Sequence, residues 1–394
     1  MEEYSIGDKL LDSTMAVTTP IKIAIIIDTA TLGGPGKGIL QFLRHETSGK
    51  YSYIVFNFKY RSPRSTQFID MARDAGCDLR LLPQRFKWDP SAVLHALDIV
   101  RSEGVAIVQS HGYKAHAIAQ VVTQTLGKPW LAMAHGWTCE DWKVRMYNAL
   151  ERLMLRRADF AGAVSPPLFQ ELLSLRGTKR PTRLILNAID PTEIGGQETG
   201  AEIRARYGIS ASACVIGVFG RLSPEKGVLD GLEAFAEVAT SSQARLQLMI
   251  VGDGQEYGVI KARVCELGLD DRVTLAGYQQ EMKGYYEAID LLMIPSLSEG
   301  LPNVLLEAMS FGIPAVSTRV GAISEVIREG ENGWIAEPGD YRGLARRIEQ
   351  ALADGNQLST FGANARRSLH PRFSPQRRAK EFVSIYDELL RSSN

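Results

Sequence analysis

Residues 290–318 read DLLMIPSLSEGLPNVLLEAMSFGIPAVST: an apolar run, a turn, a helical pattern and a second apolar run. DLLMIPS is typical of a strand buried on both faces, as in a parallel sheet. Ser298 to Leu301 form the turn, and Pro302 takes the place of a first helical residue, where a missing N–H is tolerated. The helix runs on through NVLLEAMSF to Gly312, and Pro314 excludes further helix before PAVST. Strand, helix and strand in succession are the unit of a parallel α/β sheet. On a 3.6-residue wheel Asn303, Glu307 and Ser310 share one narrow polar stripe. Taken alone, that leaves Glu307 open between a solvent-facing residue and a site carboxylate.

The same alternation extends both ways. Upstream runs are IKIAIIID, SYIVFNF, LRLLP, VAIVQS, WLAMAH, FAGAVS and TRLIL, with amphipathic segments such as DPSAVLHALDIVRSEG and YKAHAIAQVVTQTLG between them. After the polar, turn-rich NAIDPTEIGGQETG the pattern restarts with CVIGVFG, RLQLMIVG, RVTLAG, DLLMIPS, PAVST and GWIAEP. Two doubly wound, Rossmann-like parallel-sheet domains are expected, at 21–187 and 214–372, joined by a linker at 188–213. Residues 373–394 are expected to form a C-terminal helix packing back toward the first domain. Residues 1–20, with mixed charge and no cleavable signal pattern, read as a disordered tail, and Met15 is an alternative start.

Length and composition agree with this organisation. A chain of 394 residues is too long for one ordinary core. Lys+Arg and Asp+Glu are both 45, so no global field draws the protein to nucleic acid. Cys77, Cys139, Cys214 and Cys265 show no metal-binding spacing and read as core or neutral thiols of a reducing compartment. No apolar run reaches the roughly 18 residues of a membrane span. A cytoplasmic location is expected.

Ligands of doubly wound sheets bind beyond the carboxyl ends of the strands, so two facing domains imply a cleft. The first loop, TLGGPGKG, lacks the first glycine of a Walker A loop and has Gly38 where its hydroxyl belongs. Nor does the next strand end in the acid of a dinucleotide fingerprint. What remains is a glycine-rich turn that lets backbone approach an anion at a helix N-terminus. In the second half FGRLSPEKG places Arg221 and Lys226 between a strand and a helix, and VGDGQE and LAGYQQ follow two further strands.

GRLSPEKG, VGDGQE, AGY and PSLSEGLPNVLLEAMSFGIPAVST occur in the order and spacing of the retaining GT-B glycosyltransferases and closely resemble glycosyltransferase family 4. Glu299 and Glu307 match its E-x7-E motif. The loop at Gly33–Gly38, AHGW at 134–137, AVSPPL at 163–168 and LILNAID at 184–190 agree, so the resemblance covers residues 21–390. It implies that Glu307 accepts hydrogen bonds from the ribose of a nucleotide-diphosphate sugar (UDP-, GDP- or ADP-linked) and Glu299 from sugar hydroxyls. Gly300, Leu301, Asn303 and Val304 would face sugar and phosphate through backbone at the helix N-terminus. Arg221 and Lys226 would neutralise the leaving diphosphate, and residues around Tyr278 would meet the base. From the other domain Gly33 and Gly34 would approach the diphosphate and His135 the sugar. His111 and His116 stay open between acceptor-side and structural roles. The implied reaction is retaining, and with no D-x-D in the chain it is expected to need no metal and no cofactor. The acceptor would be a glycan or a lipid-linked sugar. Alternatives are a GT-B sugar-nucleotide epimerase or a non-catalytic nucleotide-sugar-binding subunit.

One segment points elsewhere. WKVRMYNALERLMLRR, residues 142–157, sets Lys143, Arg145, Arg152, Arg156 and Arg157 against the single acid Glu151, with Val144, Met146, Leu150, Leu153 and Met154 as apolar surface. KYRSPR at 59–64 and RFKW at 85–88 add basic and aromatic residues. This predicts either a helix packed on its own sheet with a solvated basic face or weak peripheral contact with anionic membrane.

Overall fold

The computed structural model describes residues 19–29, 33–59, 67–86, 88–136, 142–177, 180–241, 245–353 and 357–392. The expectations for the tail before residue 19, for KYRSPR beyond Lys59, for Lys87, Trp137 and Cys139, and for the side chains of Lys143 and Val144 lie outside what is described.

Each apolar run is a strand. The first sheet contains β1 (Ile21–Ile27), β2 (Tyr51–Phe58), β3 (Asp78–Leu82), β4 (Ile107–His111), β5 (Trp130–Ala134), β6 (Phe160–Ala163) and β7 (Thr182–Leu184), in the order β3-β2-β1-β4-β5-β6-β7. The second contains β8 (Cys214–Phe219), β9 (Leu246–Val251), β10 (Val273–Gly277), β11 (Leu291–Ile294), β12 (Ala315–Thr318) and β13 (Gly333–Ala336), in the order β10-β9-β8-β11-β12-β13. Every pairing within both sheets is parallel. The second sheet repeats the strand order of the first, with reversals between β1 and β4 and between β8 and β11. Those reversals are where such sheets open a crevice for ligand.

The runs read as strands because helices cover both faces of each sheet. Ile23, Ala24, Ile25 and Ile26 are wholly buried, which only apolar side chains tolerate without partners. Register then fixes the site: Ile27 pairs with His111, and His111 with Met133, which brings the ends of β1, β4 and β5 to one level. The Pro375–Ser392 helix joins the core of the first sheet through Ala379, Phe382, Ile385, Tyr386 and Leu389, although it follows the second sheet in the chain. Phe382 lies 4.9 Å from Phe42, and Tyr386 5.2 Å from Tyr51. Burying a side chain such as Phe382 contributes about 1.5–3 kcal/mol.

Three local readings change. Pro302 is the extended residue that precedes the helix (φ −68°, ψ 124°), and the helix itself is Asn303–Ser310. Cys77 and Cys214 are half-buried and Cys265 is exposed, so they are not core thiols; burial pushes Cys214 up to about 12 and so keeps it neutral. The helix Trp142–Leu155 buries Met154 and Leu155 but leaves Trp142, Met146, Leu150 and Leu153 exposed along one stripe. Glu151 is turned inward beside His116, and Arg152 pairs with Glu171, so Arg145, Arg156 and Arg157 set the charge of the outer face. Phe86 and Trp88 are exposed in the same domain, with Trp88 6.4 Å from Tyr147 of this helix. Among the described residues no helix is long and apolar enough to cross a membrane.

Candidate active site

At the end of β8 the chain turns through Gly220 (φ 137°), which touches Gly252 (φ 154°) at the end of β9 so closely that a Cβ on Gly252 would lie 1.8 Å from the Gly220 carbonyl oxygen. Two glycines are therefore needed before the loop 221–227 can form. Pro224–Lys226 is a single helical turn ended by Gly227 (φ 59°), which packs against the Pro295 carbonyl after β11. The Leu297 and Ser298 N–H groups donate to the Glu225 carbonyl oxygen at 2.8 and 3.2 Å, zipping the β8 and β11 loops together. Lys226 is thereby set against Glu299, and the two form an ion pair. Ser296 Oγ also donates to Glu299 Oε1, at 3.1 Å. Both protein contacts end on Oε1, which leaves Oε2 without a partner among the described residues. Arg221, at the mouth of the same loop, is exposed.

Glu307 is not the solvent face of its helix. It is 5% exposed; Tyr286 donates to its Oε2 at 2.5 Å, and Lys37 of the first domain to its Oε1 at 3.2 Å. Burial and the neighbouring carboxylate push the Tyr286 phenol far above its ordinary value, so it stays a donor. A carboxylate has about four lone-pair positions, so each Glu307 oxygen can still accept from a ligand.

The helices Gly34–His45 and Asn303–Ser310 meet N-terminus to N-terminus across the domain boundary. A Cβ on Gly34 would stand 3.1 Å from Asn303 Nδ2, and Asn187 donates to Asn303 Oδ1 at 3.0 Å. Two sets of unpaired helical N–H groups and two dipole ends there favour an anion. Gly33 precedes the first helix without any side-chain cap. Opposite, the His135 carbonyl oxygen lies 4.0 Å from where a Cβ on Gly300 would be, and the His135 ring lies edge to edge with that of His111, their centres 5.1 Å apart. Burial lowers His135 to about 3 and, with His135 beside it, drives His111 well below the ordinary imidazole range. Both rings are neutral at pH 7.

The structure thus gathers Gly33, Gly34, His135, Lys226, Glu299, Gly300, Asn303 and Glu307 at one place. Leu301 is buried and Val304 half-buried, so Leu301 can offer only backbone. Tyr278, just after β10, is 61% exposed. His116 is fully buried and meets Ser110 at 2.8 Å, a structural place. Lys37, Tyr286, Ser296 and Asn187 were not singled out from sequence for the site. Lys37 belongs to the glycine-rich TLGGPGKG stretch that sequence does mark, and stands in the first turn of the Gly34–His45 helix; Tyr286 reaches Glu307 only through the fold.

Two family profiles match consecutive halves of the chain: Glycosyltransferase Family 4 at residues 32–193 and Glycosyl transferases group 1 at residues 200–368. The chain belongs to the family 4-like GT-B glycosyltransferases. Among its relatives is N-acetyl-alpha-D-glucosaminyl L-malate synthase of Bacillus anthracis, 32% identical over 62% of this chain and 63% of that protein. Another is the lipopolysaccharide core biosynthesis glycosyltransferase LpsE of Rhizobium meliloti, 33% identical over 57% of this chain and 62% of its own. The matched part thus spans just under two thirds of these relatives. The crystal structure of Anabaena Alr3699/HepE in complex with UDP superposes on this glycosyltransferase with a TM-score of 0.79 at 19% identity, covering 93% of this chain and all of that one. That likeness establishes the shared two-domain fold.

Proposed function

We propose that this glycosyltransferase moves a sugar from a nucleotide-diphosphate sugar to a glycan or lipid-linked acceptor, with retention of anomeric configuration and without a metal ion, in the assembly of a cell-surface polysaccharide. The observation that carries the reading is the meeting of Lys226–Glu299 and Glu307 with Gly33, Gly34 and His135 where both sheets reverse order. Named relatives act in lipopolysaccharide core and capsular polysaccharide biosynthesis, and Anabaena Alr3699/HepE has been crystallised with UDP-glucose. In this reading the diphosphate lies between the two helix N-termini, Glu307 holds the ribose, and the open Oε2 of Glu299 takes a sugar hydroxyl. Lys226 and Arg221 balance the charge that grows on the departing phosphate. That phosphate then accepts the acceptor's proton on the face it leaves. A screen of UDP-, GDP- and ADP-sugars for binding and slow hydrolysis, with EDTA present, tests the whole reading. Turnover abolished by EDTA and restored by magnesium refutes the metal-free step.

Glu307→Ala is expected to weaken binding of the plain nucleoside diphosphate by about 1.5–3 kcal/mol, the size of lost charge-assisted bonds. Glu299→Ala should leave that affinity no weaker, because it frees Lys226, and should depress sugar transfer. Calorimetry with the diphosphate and the nucleotide sugar separates the two. Equal loss of diphosphate affinity in both variants overturns the assignment.

We further propose that the first domain rests on the inner, anionic face of a membrane through the stripe Trp142, Met146, Leu150 and Leu153, with Arg145, Arg156 and Arg157 beside it. Exposed apolar residues aligned on one helix face with cations alongside match the chemistry of an acidic bilayer surface. Vesicles containing phosphatidylserine should sediment the protein at low salt and release it at high salt. Trp142→Ser with Leu150→Ser, or Arg156→Glu with Arg157→Glu, should each abolish sedimentation; binding unchanged in both pairs removes the membrane from the account.

A further inference from the structure

Four side chains form an unbroken line from the C-terminal helix to the cleft. Tyr386 OH donates to Gln109 Oε1 at 2.5 Å, Gln109 Nε2 meets His111 Nε2 at 2.7 Å, and His111 Nδ1 meets His135 Nε2 at 2.8 Å. Gln109 and His111, two residues apart on β4, project from the same side of the strand. Gln109, His111 and Tyr386 are at most 3% exposed, so a polar hydrogen left over on any of these three is costly.

The direction of the line follows from its buried end. The Tyr386 hydrogen has Gln109 Oε1 as its acceptor, so the other end of that amide is an NH2 group that can only donate. His111 Nε2 therefore accepts, its ring proton sits on Nδ1, and Nδ1–H donates to His135 Nε2. With Nε2 occupied as an acceptor, the single proton of neutral His135 sits on Nδ1, which has no partner among the described residues. The reversed line would turn the Gln109 NH2 toward the Tyr386 oxygen and leave the buried phenol hydrogen with nothing to bond.

We infer that Tyr386, Gln109 and His111 are positioning residues that hold His135 as its Nδ1–H tautomer, so that His135 meets an oxygen of the donor sugar as a hydrogen-bond donor. The inference rests on the sugar-transfer reading for its consequence but not for its geometry. The Pro375–Ser392 helix thereby sets the polarity of a side chain in the cleft.

Nitrogen-15 NMR of the histidine-labelled full chain reads the tautomers with no ligand present, which separates this test from the sugar-transfer reading. His111 and His135 should both carry the proton on Nδ1. A proton on His135 Nε2 in the unaltered protein overturns the inference. His111→Asn keeps an N–H donor toward His135, whereas His111→Asp puts an acceptor there and should move the His135 proton to Nε2. Turnover of the nucleotide sugar found in the screen should fall at least ten-fold further in His111→Asp than in His111→Asn, with unchanged affinity of both for the nucleoside diphosphate. Gln109→Leu should give a mixture of His135 tautomers. Equal turnover in the two His111 variants, or a single unaltered tautomer in Gln109→Leu, also overturns it.

Discussion

Lys226→Ala is expected to lower turnover of the nucleotide sugar by about 100-fold or more, with a smaller change in affinity for the nucleoside diphosphate. Lys226 sits on a single turn pinned by Gly227 against Pro295 and by the Leu297 and Ser298 hydrogen bonds to Glu225, so its ammonium is held in place before substrate arrives. Groups preorganised toward charge that develops only in the transition state act on kcat more than on binding. Glu299 balances Lys226 in the free protein, and removing the lysine leaves that carboxylate alone. The comparison must therefore include Lys226→Ala with Glu299→Gln. Single-turnover rates with saturating donor give the chemical step. A loss below ten-fold in the single variant, with melting unchanged, shows that Lys226 does not carry leaving-group charge. Arg221→Ala should fall in the same range.

The second large effect lies one loop away. Gly321 has φ +54°, and a Cβ there would come within 2.1 Å of the Gly300 carbonyl oxygen and 2.2 Å of that of Glu299. The next residue, Ala322, donates its N–H to the same Gly300 oxygen at 2.7 Å. Gly321→Ala therefore has to displace the backbone that aims Glu299, at a cost of about 3 kcal/mol from overpacking and a left-handed conformation together. Gly330 is the control: it also has positive φ (+76°), but nothing lies within 4 Å of its added Cβ. Gly330→Ala should cost only about 1 kcal/mol. Denaturant melts of the two variants should differ accordingly, and sugar transfer should be lost in Gly321→Ala alone. Equal melts would show that the loop carrying Glu299 yields without penalty.

The thirteen strands among the described residues are all legible as apolar runs; the inner ones, such as Ile23–Ile27 and Leu291–Ile294, are buried on both faces, where little but apolar side chains is admitted, while the edge strands β3 and β7 are only half-buried. Turn chemistry announces the helix after Pro302 to within one residue. Burial of Glu307 is not legible, because its wheel position matches that of a surface residue. What covers it is Tyr286, 21 residues earlier, and Lys37, 270 residues earlier, neither part of any local pattern. The exposed stripe on the Trp142–Leu155 helix has the same cause in reverse: sequence alone leaves Met146, Leu150, Leu153 and Met154 open between a sheet-packed face and an outer surface, and the fold buries Met154 and Leu155 but not Met146, Leu150 or Leu153. His111 illustrates a mixed case. Its same-side relation to Gln109 is readable from strand alternation, while Tyr386 reaches Gln109 across 277 residues of chain.

The Pro375–Ser392 helix bears on how the molecule is made. During synthesis the whole second sheet, through Ala336, leaves the ribosome before this helix does. The first sheet, although translated earlier, waits with an apolar flank uncovered until Phe382, Ile385, Tyr386 and Leu389 arrive. The domain begun second can thus be finished first, and the nascent first domain needs shielding for as long as the ribosome takes to translate everything in between.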